Sequence, residues 1–129
     1  MTQHSTPLRI AAGLLLVMAP IASAAAMPVS TFLAKAEKLQ SRGPFAVFSG
    51  DLKLLTNQIK RDGAELKAAN EAAAAAGKRK AYCWPEGGAG IGPKEVLQAM
   101  QAVPAVQRPR TTTKDAMRAY FARRFPCKA

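Results

Sequence analysis

Histidine is nearly absent from this chain of 129 residues, and its single copy, His4, lies close to the N-terminus. Residues 27–129 therefore have no imidazole, which excludes Ser-His-Asp and Cys-His catalysis, histidine acid–base chemistry and the usual zinc sites. The chain has only 8 acidic residues. Pairs such as Glu65 and Glu71 stand among lysines, without the spacing of a metal-binding loop. We expect a protein that is not an enzyme and that holds no metal or cofactor.

Cysteine is almost as scarce, since Cys83 and Cys127 are its two copies. Their distance in the sequence argues against a CxxC redox pair or a zinc site. In an exported protein two cysteines favour a disulfide, and two free thiols are the alternative. A bond between them would close a loop of ~45 residues and stabilise the fold by roughly 4 kcal/mol in the chain-entropy model.

No apolar run reaches the ~20 residues needed to cross a membrane, but residues 1–26 have the pattern of a secretory signal peptide. A short polar segment precedes the apolar stretch at residues 10–18, and small residues follow it. Cleavage after Ala24 and cleavage after Ala26 both fit this pattern. We expect an exported protein of the periplasm or the medium, in which residues 27–129 form one domain.

Acidic residues are too few to balance the basic ones, and the formal net charge is +11. Arg9 is the one basic residue of the expected signal peptide, so residues 27–129 keep 18 basic and 8 acidic side chains, a net charge of +10. Such a field favours anionic partners, among them an acidic protein, anionic lipid, lipopolysaccharide and peptidoglycan. The aromatic residues do not interleave with the basic runs, so we expect no nucleic-acid partner.

Apolar residues recur at helical spacing through residues 27–129, and no stretch alternates with the period of two that a strand would show. The predicted helices cover residues 29–40, from 49 or 51 to 76, 93–102 and 112–125. The chain is therefore predicted to be all-α, a small domain of four or five helices stapled by one disulfide. Residues 45–48 fit either one helical turn or a buried linker. Gly63 is a point where the long second helix could kink.

Residues 82–92 interrupt these helices with an irregular, glycine-rich loop. The glycines lack the preceding strand that a nucleotide-binding motif requires. We expect Trp84 and Tyr82 to pack against Phe121 and Phe125 of the last helix, beside the disulfide. The alternative is that side chains of this loop are presented to a partner.

The segments Tyr82-Cys83-Trp84-Pro85 and Phe125-Pro126-Cys127, with a helix, a proline-containing loop and another helix between them, resemble the Rap/Tai-type immunity proteins. These are small exported helical proteins of Gram-negative bacteria that neutralise peptidoglycan-cleaving amidase effectors of type VI secretion systems. The resemblance covers roughly residues 80–127. Family members commonly carry a further cysteine pair in their N-terminal helices, and residues 27–76 have none. The resemblance implies bonded cysteines and a protein partner, a peptidoglycan amidase.

These observations predict a non-catalytic periplasmic binding protein that plugs the cleft of a partner enzyme, as an immunity protein would. We expect its contact surface to combine the loop at residues 86–91 with the basic connection at residues 108–110. The candidate partner-binding residues are Glu86, Ile91, Arg108 and Arg110. Arginines on a loop are often simply solvated, which is the structural alternative for Arg108 and Arg110.

The alternative function is that of a basic envelope protein that binds anionic lipid, lipopolysaccharide or peptidoglycan. Its binding patch would consist of cations from two parts of the chain, namely Lys78, Arg79, Lys80, Arg123 and Arg124. Cations that follow a helix also interact favourably with the helix dipole, which needs no ligand. The sequence leaves open whether the chain forms a homodimer.

Overall fold

The structure is a computed structural model that describes residues 26–88 and 90–128, so the predicted signal peptide lies outside the described residues except for Ala26. Its α-helices are α1 (Val29–Ser41), α2 (Gly50–Ala75), α3 (Pro93–Gln101) and α4 (Thr113–Arg124). Two short 3₁₀ helices, Gly43–Phe48 and Ala105–Gln107, lie in the connections. The described part of the chain has no strand, which confirms the predicted all-α fold, and each α-helix ends within one residue of its predicted bounds.

The helix ends follow from local sequence. At the start of α2, the Ser49 hydroxyl accepts a hydrogen bond from the Asp51 backbone N–H at 3.2 Å. At its end, Gly77 adopts a φ of 67°, which permits the Schellman bond from the Lys78 N–H to the Ala73 carbonyl at 2.8 Å. In between, α2 continues through Gly63 as one helix, so the kink considered there does not divide it.

The starts of α1 and α4 are fastened to each other by backbone hydrogen bonds. The Val29 N–H donates to the Thr111 carbonyl at 2.9 Å, and the Thr113 N–H donates to the Met27 carbonyl at 2.9 Å. These donors belong to first helical turns, where no partner within the helix exists. The two helices therefore begin at the same end of the domain.

The four helices pack around one core, and α2 contributes two polar residues to it. Gln58 and Asp62 of α2 are buried, as is Thr113 at the start of α4. The Asp62 carboxylate accepts hydrogen bonds from the Gln58 amide at 2.9 Å and from the Thr113 hydroxyl. Since buried polar groups are costly unless they are hydrogen-bonded, this network fixes how α2 and α4 sit against each other.

Candidate functional site

A disulfide between Cys83 and Cys127 confirms the predicted staple, with a Cα–Cα distance of 4.8 Å. Backbone contacts support the bond, because the Cys83 N–H donates to the Phe125 carbonyl at 2.8 Å. The amide of Asn70 on α2 holds the other side of the loop: it donates to the Tyr82 carbonyl at 2.8 Å and accepts from the Ala81 N–H at 2.9 Å. The loop is thus tied both to the C-terminal tail and to α2.

The aromatic residues beside the disulfide form the predicted cluster. Ring centroids lie 4.7 Å apart for Trp84 and Phe125, 5.3 Å for Trp84 and Phe121, and 5.2 Å for Tyr82 and Phe121. These tilted and edge-to-face arrangements are the favourable ones for aromatic pairs. Trp84 is nevertheless 41 % exposed, so one part of its indole packs while the rest remains at the surface.

That surface borders a cavity of about 660 Å³ between α2 and the loop, which we call the α2 cleft. Its lining residues are Ile59, Gly63, Lys67, Asn70, Glu71, Lys80, Tyr82, Cys83, Trp84, Ile91, Met117 and Phe121. A second cavity of about 360 Å³ runs between α1, α2 and the start of α3, and it shares Ile59 and Ile91 with the α2 cleft. The apolar surface therefore continues along α2 from one cavity to the other.

The charged side chains that line the α2 cleft include more cations than carboxylates. Lys67 and Lys80 face a single carboxylate, Glu71, which approaches the Lys67 ammonium only to 3.8 Å. Burial, and secondarily the charge of Glu71, raises the pKa of the Tyr82 phenol above its ordinary value of 10.0. The phenol therefore stays protonated at neutral pH and can donate a hydrogen bond to an anion.

The structure separates the residues predicted to contact a partner. The Arg108 guanidinium donates to the Val103 carbonyl at 2.9 Å and to the Gln101 carbonyl at 3.1 Å, at the C-terminal end of α3. The loop that contains Glu86 and Ile91 leads into the opposite, N-terminal end of α3. Arg108 thus satisfies carbonyls at and just beyond the end of α3, whereas Ile91 lies two residues before the start of that helix. The structure therefore places Arg108 and Ile91 at opposite ends of α3 instead of side by side.

The remaining candidates differ in exposure. Glu86 and Arg110 are exposed, whereas Ile91 is half-buried, packs against the core and lines both cavities. The cations considered for an envelope patch are all exposed, and among the described residues none of them forms an ion pair. The Cys127 sulfur lies 3.9 Å from the Lys80 carbonyl, which brings the C-terminal tail to the basic run that follows α2.

Three of the most exposed large apolar side chains among the described residues belong to the 3₁₀ helix Gly43–Phe48, which we call the aromatic turn. Phe45, Val47 and Phe48 are 73 %, 67 % and 86 % exposed, so the segment is a helical turn but not the buried linker considered as its alternative. This segment was not part of the contact surface predicted from the sequence. The available signal was a run of four apolar residues directly behind Gly43-Pro44.

Other kinds of site find no support in the described residues. Their cysteine, aspartate and glutamate side chains form no group of three that could hold a metal ion, and none of their helices has the length and apolarity to cross a membrane. No protein-family model, curated protein or solved structure matches this chain. The function must therefore be argued from the surfaces themselves.

Proposed function

We propose that this chain is a non-catalytic, exported binding protein whose partner is another protein, and that the aromatic turn makes the central contact. The observation that carries the proposal is the exposure of Phe45, Val47 and Phe48 within one six-residue segment. Soluble monomers rarely leave contiguous apolar side chains in water unless these bind something. Aromatic residues that insert into a partner's pocket typically contribute most of the affinity of an interface.

The surroundings of the aromatic turn support a partner with an acidic rim. Lys38 and Arg42 precede the turn, Lys53 follows it, and all three are exposed. Lys35 is paired with Asp51 through a contact of 2.7 Å, so the Asp51 carboxylate, three residues after the turn, is already neutralised. A protruding apolar turn with basic flanks suits an apolar enzyme cleft bordered by acidic groups, since opposite charges steer encounter and fix orientation.

The resemblance of residues 80–127 to Rap/Tai-type immunity proteins supplies the partner class. On that basis we propose that the partner is a peptidoglycan amidase and that the chain neutralises it in the periplasm. The aromatic turn lies outside the resembling region. The two lines of support are therefore independent, and each can fail without the other.

A panel of purified type VI amidases, assayed on isolated peptidoglycan with and without the exported protein, tests this function. We expect one enzyme to be inhibited by the native protein and at least tenfold less by Phe48→Ala, as for a central aromatic contact. Val106→Ala is the matched control, because Val106 is 77 % exposed but lies in the other 3₁₀ helix; it should inhibit like the native protein.

Two outcomes contradict the proposal. If no amidase is inhibited, the partner class is wrong. If Phe48→Ala inhibits as well as the native protein, the aromatic turn is not the contact. Light scattering of both proteins detects a third case, in which the native chain forms a homodimer that Phe48→Ala dissolves and the turn serves self-association.

A second candidate function, attachment to anionic lipid, lipopolysaccharide or peptidoglycan, is favoured by one observation. Lys78, Arg79 and Lys80 are consecutive, exposed and without an ion pair to any described residue, and the sulfur of Cys127, which precedes Lys128 in the sequence, lies 3.9 Å from the Lys80 carbonyl. Co-sedimentation with anionic vesicles over a salt series tests it. Binding that disappears as salt rises supports this function, whereas salt-tolerant inhibition of an amidase supports the first.

A further inference from the structure

We propose that the α2 cleft is a binding site for a small anionic amphiphile, a molecule with one alkyl chain and an anionic head, as in a fatty acid. This site is separate from the aromatic turn and does not depend on the protein partner. The cleft volume of about 660 Å³ lies within the range of about 300–1,000 Å³ that ligand pockets occupy.

Gly63 provides the first argument, because it lines the cleft and leaves α2 without a side chain at that point, at the expense of helix stability. A glycine inside a helix costs about 1 kcal/mol relative to alanine. Nothing in the fold requires it, since its φ is not positive and an added Cβ would meet no heavy atom within 4 Å. The consequence of this glycine is a gap in the wall of α2, and that gap is part of the α2 cleft.

The apolar lining provides the second argument. Met117 and Phe121 of α4 and Ile59 of α2 border the cleft, together with the partly exposed indole of Trp84. Because Ile59 and Ile91 also line the second cavity, an alkyl chain that starts in the cleft has apolar surface to follow between α1, α2 and α3. A chain of this kind gains free energy with every methylene that it buries.

The polar groups provide the third argument, and they select the sign of the head group. Lys67 and Lys80 outnumber Glu71 in the cleft, and the protonated phenol of Tyr82 adds a hydrogen-bond donor. Asn70 is already engaged by the backbone of the loop through both atoms of its amide. An anionic head is therefore attracted, whereas a cationic head meets an excess of like charge.

Trp84 makes the site measurable, since it is the only tryptophan of the chain and lines the cleft. The experiment titrates the exported protein with laurate, dodecyl phosphate or dodecyltrimethylammonium below their micelle concentrations and follows tryptophan fluorescence and calorimetric heat. We expect saturable binding of an anionic amphiphile with one molecule per chain, about tenfold tighter than the cationic one. Comparing laurate with dodecyl phosphate tells a carboxylate head from a phosphate head.

Matched variants locate the binding. Gly63→Leu should fill the cleft and abolish binding, whereas Gly63→Ala should bind like the native protein and be slightly more stable. Lys80→Gln should weaken laurate binding about fivefold, and Glu71→Gln should strengthen it. Lys53 is a cation on the exposed face of α2 outside the cleft, so Lys53→Gln should leave laurate binding unchanged.

Three results would overturn the proposal: no saturable binding, equal binding of the cationic amphiphile, or full binding by Gly63→Leu. Circular dichroism of Gly63→Leu shows whether the variant is folded, and Lys80→Gln provides an independent test if it is not. If Gly63→Leu loses amidase inhibition while the native protein binds no amphiphile, a protein segment occupies the cleft and the amphiphile site is refuted.

Discussion

The aromatic turn and the loop around Trp84 are alike in sequence, since each lies between two α-helices and has an aromatic residue next to a proline. Their structures differ. Trp84 and its neighbour Tyr82 contact aromatic rings of α4, whereas Phe45 and Phe48 are largely in water.

The two segments differ in their bonds to distant parts of the chain and not in how apolar their own residues are. The loop around Trp84 is held by the disulfide, by a backbone bond to Phe125 and by the amide of Asn70. The aromatic turn has local bonds, such as those from the Phe45 N–H to the Arg42 carbonyl at 3.3 Å and from the Ser49 N–H to the Ala46 carbonyl at 3.0 Å. Aromatic side chains thus pack against other rings where distant parts of the chain hold them, and remain exposed where they do not.

Among the changes considered, removing the disulfide should reduce the difference between the two regions most. Cys127→Ser opens a loop with a sequence separation of 44, so we expect a loss of about 4 kcal/mol of stability. For a domain of this size that corresponds to a fall in Tm of roughly 15–30 °C, measured by circular dichroism. The native protein in dithiothreitol is the control and should behave alike. A fall of less than a few degrees would mean that hydrogen bonds and aromatic packing hold the loop without the disulfide.

Asp62 tests whether the rest of the core couples α2 to α4 independently of the disulfide. Asp62→Ala leaves the Gln58 amide and the Thr113 hydroxyl buried without their acceptor, so we expect a loss of about 1–3 kcal/mol in urea unfolding. Glu65→Ala is the control, because Glu65 is on the same helix and forms an exposed ion pair with Lys114, which contributes little. Equal effects of the two variants would contradict a structural role for the buried network.

Acid should weaken both regions, since each has a carboxylate with a lowered pKa. The hydrogen bond from Lys35 lowers the pKa of Asp51 beside the aromatic turn. Near the loop, backbone N–H groups of Glu95 itself and of Gly92 lower the pKa of Glu95. Because the pKa of each carboxyl is lower in the folded chain, the unfolded chain binds a proton more readily than the folded one. The stability that each carboxylate contributes is therefore present above its ordinary pKa, 3.8 for Asp51 and 4.5 for Glu95, and is lost as the pH falls below that value.

Urea midpoints between pH 7 and pH 2.5 measure this loss. Glu95→Gln should lower the midpoint at pH 7 and converge with the native protein at the acid end, whereas Glu86→Gln, a change in the exposed part of the loop, should follow the native curve throughout. A constant difference between Glu95→Gln and the native protein at every pH would show that the carboxylate charge is not involved.

Helix positions, the disulfide and the packing of Trp84 could be predicted from the sequence because each depends on a local or covalent signal. Ser49 and Thr112 cap their helices, Gly77 ends α2, and two cysteines leave one pairing. The burial of Asp62 could not be predicted, since its carboxylate needs, besides Gln58 on the same helix, a second donor from Thr113, a residue 51 positions away.

The candidate site was predictable only in part for the same reason. Glu86 and Arg110 are exposed as a contact surface requires, but Arg108 is used by carbonyls at the end of α3, and which carbonyls a loop arginine reaches depends on tertiary structure. The sequence shows that Gly63 is an unfavourable residue for the middle of a helix. Its consequence, a gap in the wall of a cleft, depends on what lies opposite, and the sequence does not contain that information in local form.

A change in the aromatic turn should have the smallest effect on stability, and for that reason it separates a role in binding from a role in folding most clearly. Phe48→Ser should change the free energy of unfolding by no more than about 0.5 kcal/mol, since an exposed side chain loses no packing. Phe121→Ala, the matched change in the packed cluster, should cost about 3–5 kcal/mol. Urea unfolding measures both. A loss of more than 1 kcal/mol in Phe48→Ser would show that the aromatic turn packs in solution, and the exposed apolar surface on which the proposed function depends would not exist.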